Sequence, residues 1–255
     1  MVTDRVEKQK NPMLETVKNN PWYTSEQVEA AQRHQRRTTE RRYRFILQCV
    51  DDYLQCHNRK PIRILDAGCG DGVQLQGLIQ FPELEVWGTD YNLLRTSRAK
   101  RNFPTTHIVC EDILHPSYRS ASFDIVLCSQ VIEHIPQDDL LLERLADVLK
   151  PQGLMVLGTP NEGCLMARLR NHFFERSIMK NTDHIHFYKE PVIRRKIEAA
   201  GFVIQQVMRE NWFFPHQRIN YYLTNRNWGF QFMAQLNKII PSQAAGYYFK
   251  CVKGL

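Results

Sequence analysis

Residues 61–72, PIRILDAGCGDG, join an apolar run to a loop with glycines at 68, 70 and 72. The run reads as a buried strand, and VQLQGLI (73–79) reads as the helix that follows it. Strand, glycine-rich turn and helix in that order open the ligand-binding half of many α/β sheets. Downstream the alternation continues. LEVWGTD (84–90), THIVCED (106–112), FDIVLCSQ (123–130) and LMVLGTPN (154–161) are strand-like. Between them lie helical patterns at 92–103 and 138–150, the second ended by Pro151 and Gly153. A helix at 190–201 and strands at 202–208 and 247–252 complete the pattern. The spacing predicts an α/β fold with a mostly parallel sheet and helices on both faces. Ligands of such sheets bind beyond the carboxyl ends of the strands, where Asp66, Asp90, Asp112, Ser129 and Thr159 fall.

Upstream, residues 25–57 read as a helix. Tyr43, Ile46, Leu47, Val50, Tyr53 and Leu54 recur at three- and four-residue spacing on an otherwise basic surface. The expected organisation is an N-terminal helical cap (1–60) and a catalytic domain (61–255) with insertions at about 162–186 and 211–246.

Composition narrows the class. With 43% hydrophobic and 24% charged residues, the 255-residue chain matches ordinary globular proteins. The charged N-terminus has no apolar signal core, and no run suits a membrane-spanning helix. A cytoplasmic protein without stable membrane insertion is expected. Seven scattered cysteines without a CxxC pair argue against a disulfide framework or zinc site. The net charge of +7 is concentrated in RHQRRTTERRYR (33–44), which reads as a solvated helix face or as a contact for RNA or anionic lipid.

The loop spacing is GxGxG, with Val73 where the dinucleotide fingerprint has glycine. Asp66 and Asp71 flank it and would repel a pyrophosphate. A ligand with an ammonium and a sulfonium suits them better, which points to S-adenosylmethionine. Asp90, with Tyr91 beside it, follows Gly72 by 18 residues and suits two ribose hydroxyls. Asp112 suits an adenine amino group, and Ile113 can pack on the ring.

DAGCGDG (66–72), Asp90, CEDI (110–113), FDIVLCSQVIEHIP (123–136) and LKPQGLMVLGTPN (149–161) together resemble the successive motifs of class I S-adenosylmethionine-dependent methyltransferases. VIEHI and GTPN are most similar to the branch with ubiquinone-pathway O-methyltransferases and sugar, lipid and natural-product methyltransferases. The resemblance spans about 60–210 and implies a Rossmann-like seven-stranded sheet. It also implies that Gly68 and Gly70 line the methionine portion, Asp90 takes the ribose, Asp112 and Ile113 hold the adenine, and Ser129 and Gln130 lie under the methionine.

For methyl transfer to a hydroxyl, the acceptor's proton must leave, and His134 is the first candidate base, with Glu133 to orient it. A structural role for the pair is the plain alternative. The second catalytic candidate lies in TDHIHFY (182–188). His184 and His186 are two residues apart, so an extended segment would turn both to one side, and one of them, His186 foremost, could reach the acceptor from the fifth-strand side. A divalent metal on Glu133, His134 and Asp183 or His184 is weighed and set aside, since the spacing is open. The aromatic stretch 212–232 reads as core or dimer packing, as a substrate lid, or as a membrane contact. Arg42 and Tyr43 are candidates to close over the cofactor. The expected acceptor is a small molecule, glycan or lipid-linked compound. RNA methylation and a non-catalytic cofactor-binding role are the alternatives, and a nicotinamide reductase is disfavoured by the loop.

Overall fold

The computed structural model describes residues 36–58, 60–174 and 183–254. Residues 25–35 of the helix predicted over 25–57, part of the basic run and residues 175–182 of the first insertion lie outside them. The first described helix, α1 (Arg36–Cys56), leads into β1 (Ile62–Ala67), the glycine loop and α2 (Leu75–Leu78). Then come β2 (Leu84–Asp90), α3 (Leu93–Asn102), β3 (His107–Cys110) and β4 (Phe123–Ser129). A 3-10 turn at Ile132–His134 precedes α4 (Asp138–Val148) and β5 (Leu149–Pro160). The rest is α5 (Leu165–Leu169), α6 (Glu190–Ala199), β6 (Phe202–Arg209), α7 (Gln217–Thr224), α8 (Asn227–Ile239) and β7 (Gly246–Lys253).

These strands form one seven-stranded sheet in the order β3-β2-β1-β4-β5-β7-β6. β1 to β5 pair in parallel, while β7 runs antiparallel to both β5 and β6. The order reverses beside β1, so β1 and β4 diverge in their connections and leave the crevice that open sheets use for ligands.

Each face has its own core. Ile46, Cys49 and Val50 of α1, Leu75 and Leu78 of α2 and Ala99 of α3 pack with Ile64, Ile125 and Val156. On the other face, Leu141, Leu142 and Leu145 of α4 and Ile193 and Ile197 of α6 cover Leu65, Val126 and Leu157. Alternate residues of β1 and β4 thus go to opposite faces, and both are buried, which explains their unbroken apolar runs.

One boundary departs from the sequence expectation. The helix predicted to run through Lys150 ends at Val148, and β5 starts at Leu149, ahead of Pro151 and Gly153. Leu149 is buried against Phe123, and the register slips between Phe123 and Ile125. Proline lacks the N–H a regular ladder needs, and the irregularity accommodates it. The aromatic stretch forms the helical pair α7 and α8, with Met233 buried and Trp228 and Phe232 exposed.

Candidate active site

The glycine loop turns sharply because Gly68 and Gly70 adopt positive φ, 81° and 54°. A Cβ at Gly68 would overlap Val131, and one at Gly70 would overlap the Arg95 guanidinium. The turn is pinned to β2, since Gly68 and Cys69 both donate to the Thr89 carbonyl, at 2.8 and 2.9 Å. The Asp90 carboxylate accepts from the backbone N–H groups of Gly70 and Asn92, at 3.0 and 2.9 Å. Asn92 caps α3 by accepting from Leu94 and Arg95, which places Arg95 on the first turn, facing the loop.

Three carboxylates converge there. Asp66 and Asp71 are 1% exposed and Asp90 7%. Arg95 lies 3.5 Å from Asp71. Burial, then the charge of Asp90, raises Asp66 to about 7 against the pull of Arg95. Burial also raises Asp90, opposed by Arg95 and by its two backbone bonds. One Asp66 oxygen and the Gln130 amide nitrogen are buried without a hydrogen-bond partner. A buried acidic cradle with an orphaned acceptor beside a tight backbone turn fits a cationic ligand such as S-adenosylmethionine, and disfavours a pyrophosphate. Farther along, Tyr91 is half-buried, Asp112 accepts from the Leu114 N–H at 2.9 Å, and Ile113 is buried beside it. Ser129 shares a 2.7 Å hydrogen bond with the Tyr248 hydroxyl, and Gln130 turns at φ 58°.

Beyond β4 and β5 lies an acid–histidine cluster. Glu133 is fully buried; it accepts from the Thr159 hydroxyl at 3.3 Å, and its other oxygen has no partner. Burial raises it to about 7 despite backbone bonding and the charge of His184. His134 Nδ1 is 3.0 Å from Asp183, and its ring meets that of His184 edge-on at 4.6 Å. Burial and then His184 hold His134 down at about 4, so it is neutral at neutral pH. For His184 burial pulls downward, but the bond to Glu162 (3.1 Å) and the charges of Glu162, Glu133 and Asp183 raise it. Glu162 also faces Arg170, at 3.5 Å.

His184 and His186 do not share a side. The Glu133 carbonyl takes the N–H groups of Ile185 and His186 in succession, which bends the segment. His186 Nε2 then lies 3.0 Å from the Ile135 carbonyl and 3.9 Å from Asp138, toward α4. Arg42 ion-pairs with Glu210, and the Tyr43 hydroxyl abuts Gly77. Two residues that the sequence reading passed over are Arg95 and Glu162. The Asn92 cap signals the first, and strand-end logic applied just beyond β5 signals the second. Among the described residues one set of donor atoms could hold a metal: those of Glu133, His134 and His184 lie within 4.8 Å of one another.

The methyltransferase domain family model matches residues 33–207 of this chain. A ubiquinone biosynthesis O-methyltransferase of Bradyrhizobium diazoefficiens is 34% identical over 106 residues, 39% of this chain and 40% of that protein. A 2-methyl-6-phytyl-1,4-hydroquinone methyltransferase of Synechocystis is 26% identical over 159 residues, 60% of this chain and 50% of that protein. The chain thus spans about half the length, or less, of these two relatives. Among solved structures, a Haemonchus contortus phosphoethanolamine N-methyltransferase 2 in complex with S-adenosyl-L-methionine shares the fold. Its TM-score is 0.56 at 20% identity, over 82% of this chain and 52% of that one.

Proposed function

This chain belongs to the methyltransferase domain family, class I and S-adenosylmethionine-dependent, and on that premise we propose that it methylates a hydroxyl group of a small-molecule acceptor. The observation that carries the proposal is the acid–histidine cluster of Glu133, His134, Glu162 and His184, set beside the acidic glycine loop at adjoining strand ends. Asp66, Gly68 and Gly70 would hold the methionine portion, and Asp90 with Tyr91 the ribose. Asp112 and Ile113 would take the adenine, and Ser129 and Gln130 the floor of the site. Bound there, S-adenosylmethionine supplies a methyl group already activated by the sulfonium.

The chain's own task is to orient the acceptor and take its proton. His184 suits the second role: its affinity for a proton is raised, and Glu162 fixes its ring. His134, neutral and edge-on to it, can hydrogen-bond the acceptor. Glu133 holds the segment after His184 through its carbonyl, and His186 anchors that segment to the Ile135 carbonyl. The relatives with quinol-type names support an aromatic hydroxyl acceptor; a glycan or lipid-linked one remains within the proposal. A second reading rests on the same donor set, with a divalent cation on Glu133, His134 and His184 binding the acceptor oxygen.

The test is incubation of the purified chain with methyl-labelled S-adenosylmethionine and a cell extract, followed by fractionation. Label in a small-molecule or lipid pool, as a methyl ether, is the expected result. Nuclease-sensitive label would overturn the acceptor class in favour of RNA, and label on nitrogen would overturn the hydroxyl. Loss of transfer on chelation, restored by a divalent cation, would select the second reading.

A further inference from the structure

A cavity of about 610 Å³ lies outside both the glycine loop and the acid–histidine cluster. It is framed by α5, the start of α6, the end of β6 and the turn at 241–243. It adjoins the proposed acceptor site at the turn where Glu162 is followed by Gly163 and Cys164, which line it. In size it falls within the ~300–1,000 Å³ of small-ligand pockets.

Its charge is one-sided. Arg168, Lys189, Arg194 and Arg209 line it against a single carboxylate, Glu190. Arg209 grips Glu190 with two bonds, at 2.7 and 2.6 Å, and Arg194 approaches the same carboxylate at 3.3 Å. Glu190 thus serves two guanidinium groups, and Arg194 has a second, longer ion pair with Glu198 at 3.8 Å, outside the lining. The side chains of Arg168 and Lys189 have no hydrogen bond or ion pair among the described residues. The Lys189 stem is laid against Gly163, where a Cβ would meet its Cγ at 2.7 Å. Lys189 is also the N-cap of the ten-residue α6 and supplies no side-chain cap, so its ammonium is not engaged with the helix end. Leu165, Pro191 and Pro241 add apolar lining among the cations. A ligand with an anionic head and an apolar body uses both kinds of lining.

We propose that this cavity is a second ligand site, which takes a phosphate monoester carried on a short apolar body. Lys189 and Arg168 meet the phosphate, the Arg209–Glu190–Arg194 group fixes the rim, and Leu165 with the two prolines packs on the body.

Octyl phosphate, below its micelle concentration, is the probe, titrated calorimetrically into the whole chain saturated with S-adenosylhomocysteine. Saturable one-to-one binding, tighter than that of inorganic phosphate, is expected. R168E/K189E should weaken it by at least about tenfold, the scale of one lost charge-assisted contact. R218E/K238E, with the same change of charge on α7 and α8, should leave it within about twofold. Equal losses in the two variants would overturn the proposal as general charge attraction, and no advantage over inorganic phosphate would overturn the organic body. Should R168E/K189E fail to fold by thermal melting, K189Q takes its place, with a smaller loss expected and no loss overturning the site. Co-sedimentation with phosphatidate vesicles, abolished by the same variant, would identify a lipid headgroup as the source. Octyl phosphate binding without vesicle binding would identify a soluble monoester. Because the readout is binding, failure here leaves the methyl-transfer reading standing, and failure of methyl transfer leaves this site standing.

Discussion

Asp66, 1% exposed and with one oxygen unpartnered, titrates near 7 because burial and the neighbouring Asp90 both favour the neutral acid. A cationic ligand favours the ionised form, so binding below pH 7 must expel a proton. S-adenosylmethionine affinity is therefore expected to rise between pH 6 and 8 and then level off, and Asp66→Asn should flatten the profile in calorimetry. Stability carries the opposite sign. The folded value lies above the ordinary ~3.9, so this group's contribution is full below about pH 4 and is lost as pH rises through 7. Relative to wild type, Asp66→Asn should gain urea resistance over that interval; a constant offset would mean that Asp66 does not titrate there. The histidines separate by kinetics. His184→Ala should lower turnover by ~10²–10⁴-fold, the range for a lost general base, with S-adenosylhomocysteine affinity unchanged. His186→Ala, directed toward Ile135 and Asp138, should retain most turnover, and the reverse ranking would move the base to His186. The acids and glycines at the strand ends were legible because they sit at fixed offsets from apolar runs. Arg95 and Glu162 were legible only as positions, one three residues past the Asn92 cap and one just beyond β5, since their significance comes from partners brought close by folding.

At the scale of elements, strand and helix periodicity located β1, β2 and β4 within a residue or two, because sterics and burial on both faces leave such runs little choice. The start of β5 escaped, since Pro151 and Gly153 read as a helix stop while tertiary pairing with β4 extends the strand past them. The seat of α1 escaped too. Its apolar stripe said only that it packs on something. Arg42 meets Glu210, 168 residues away, with a second bond at 2.9 Å, and Arg41 bonds Asn211. Glu210 is almost wholly buried, and burial, which works against the Arg42 charge, is outweighed by Glu210, so the guanidinium stays ionised. Arg42→Ala leaves that carboxylate without its ion partner and should cost on the order of 3 kcal/mol in urea unfolding. Arg42→Met with Glu210→Met should recover much of the loss, and an additive penalty in the double variant would mean that the pair does not latch α1 to the sheet.

Across the whole molecule, the alternation of strands and helices was enough to expect a two-faced α/β sheet, and the strand order reverses beside β1, next to the proposed site. No helix among the described residues is long and apolar enough to cross a membrane. Spacing alone could not reveal that β7, last of the strands in sequence, lies between β5 and β6, because pairing at that distance leaves no local trace. That insertion has a bearing on synthesis. β6 ends at Arg209 and its one neighbour among the described strands is complete at Lys253, so at ~5–20 residues per second a nascent β6 waits several seconds beside the ribosome before that strand can pair with it. Through that interval β5 also presents a bare edge. The seven-stranded sheet therefore closes only once β7 has emerged, and until then two strand edges wait for the same partner.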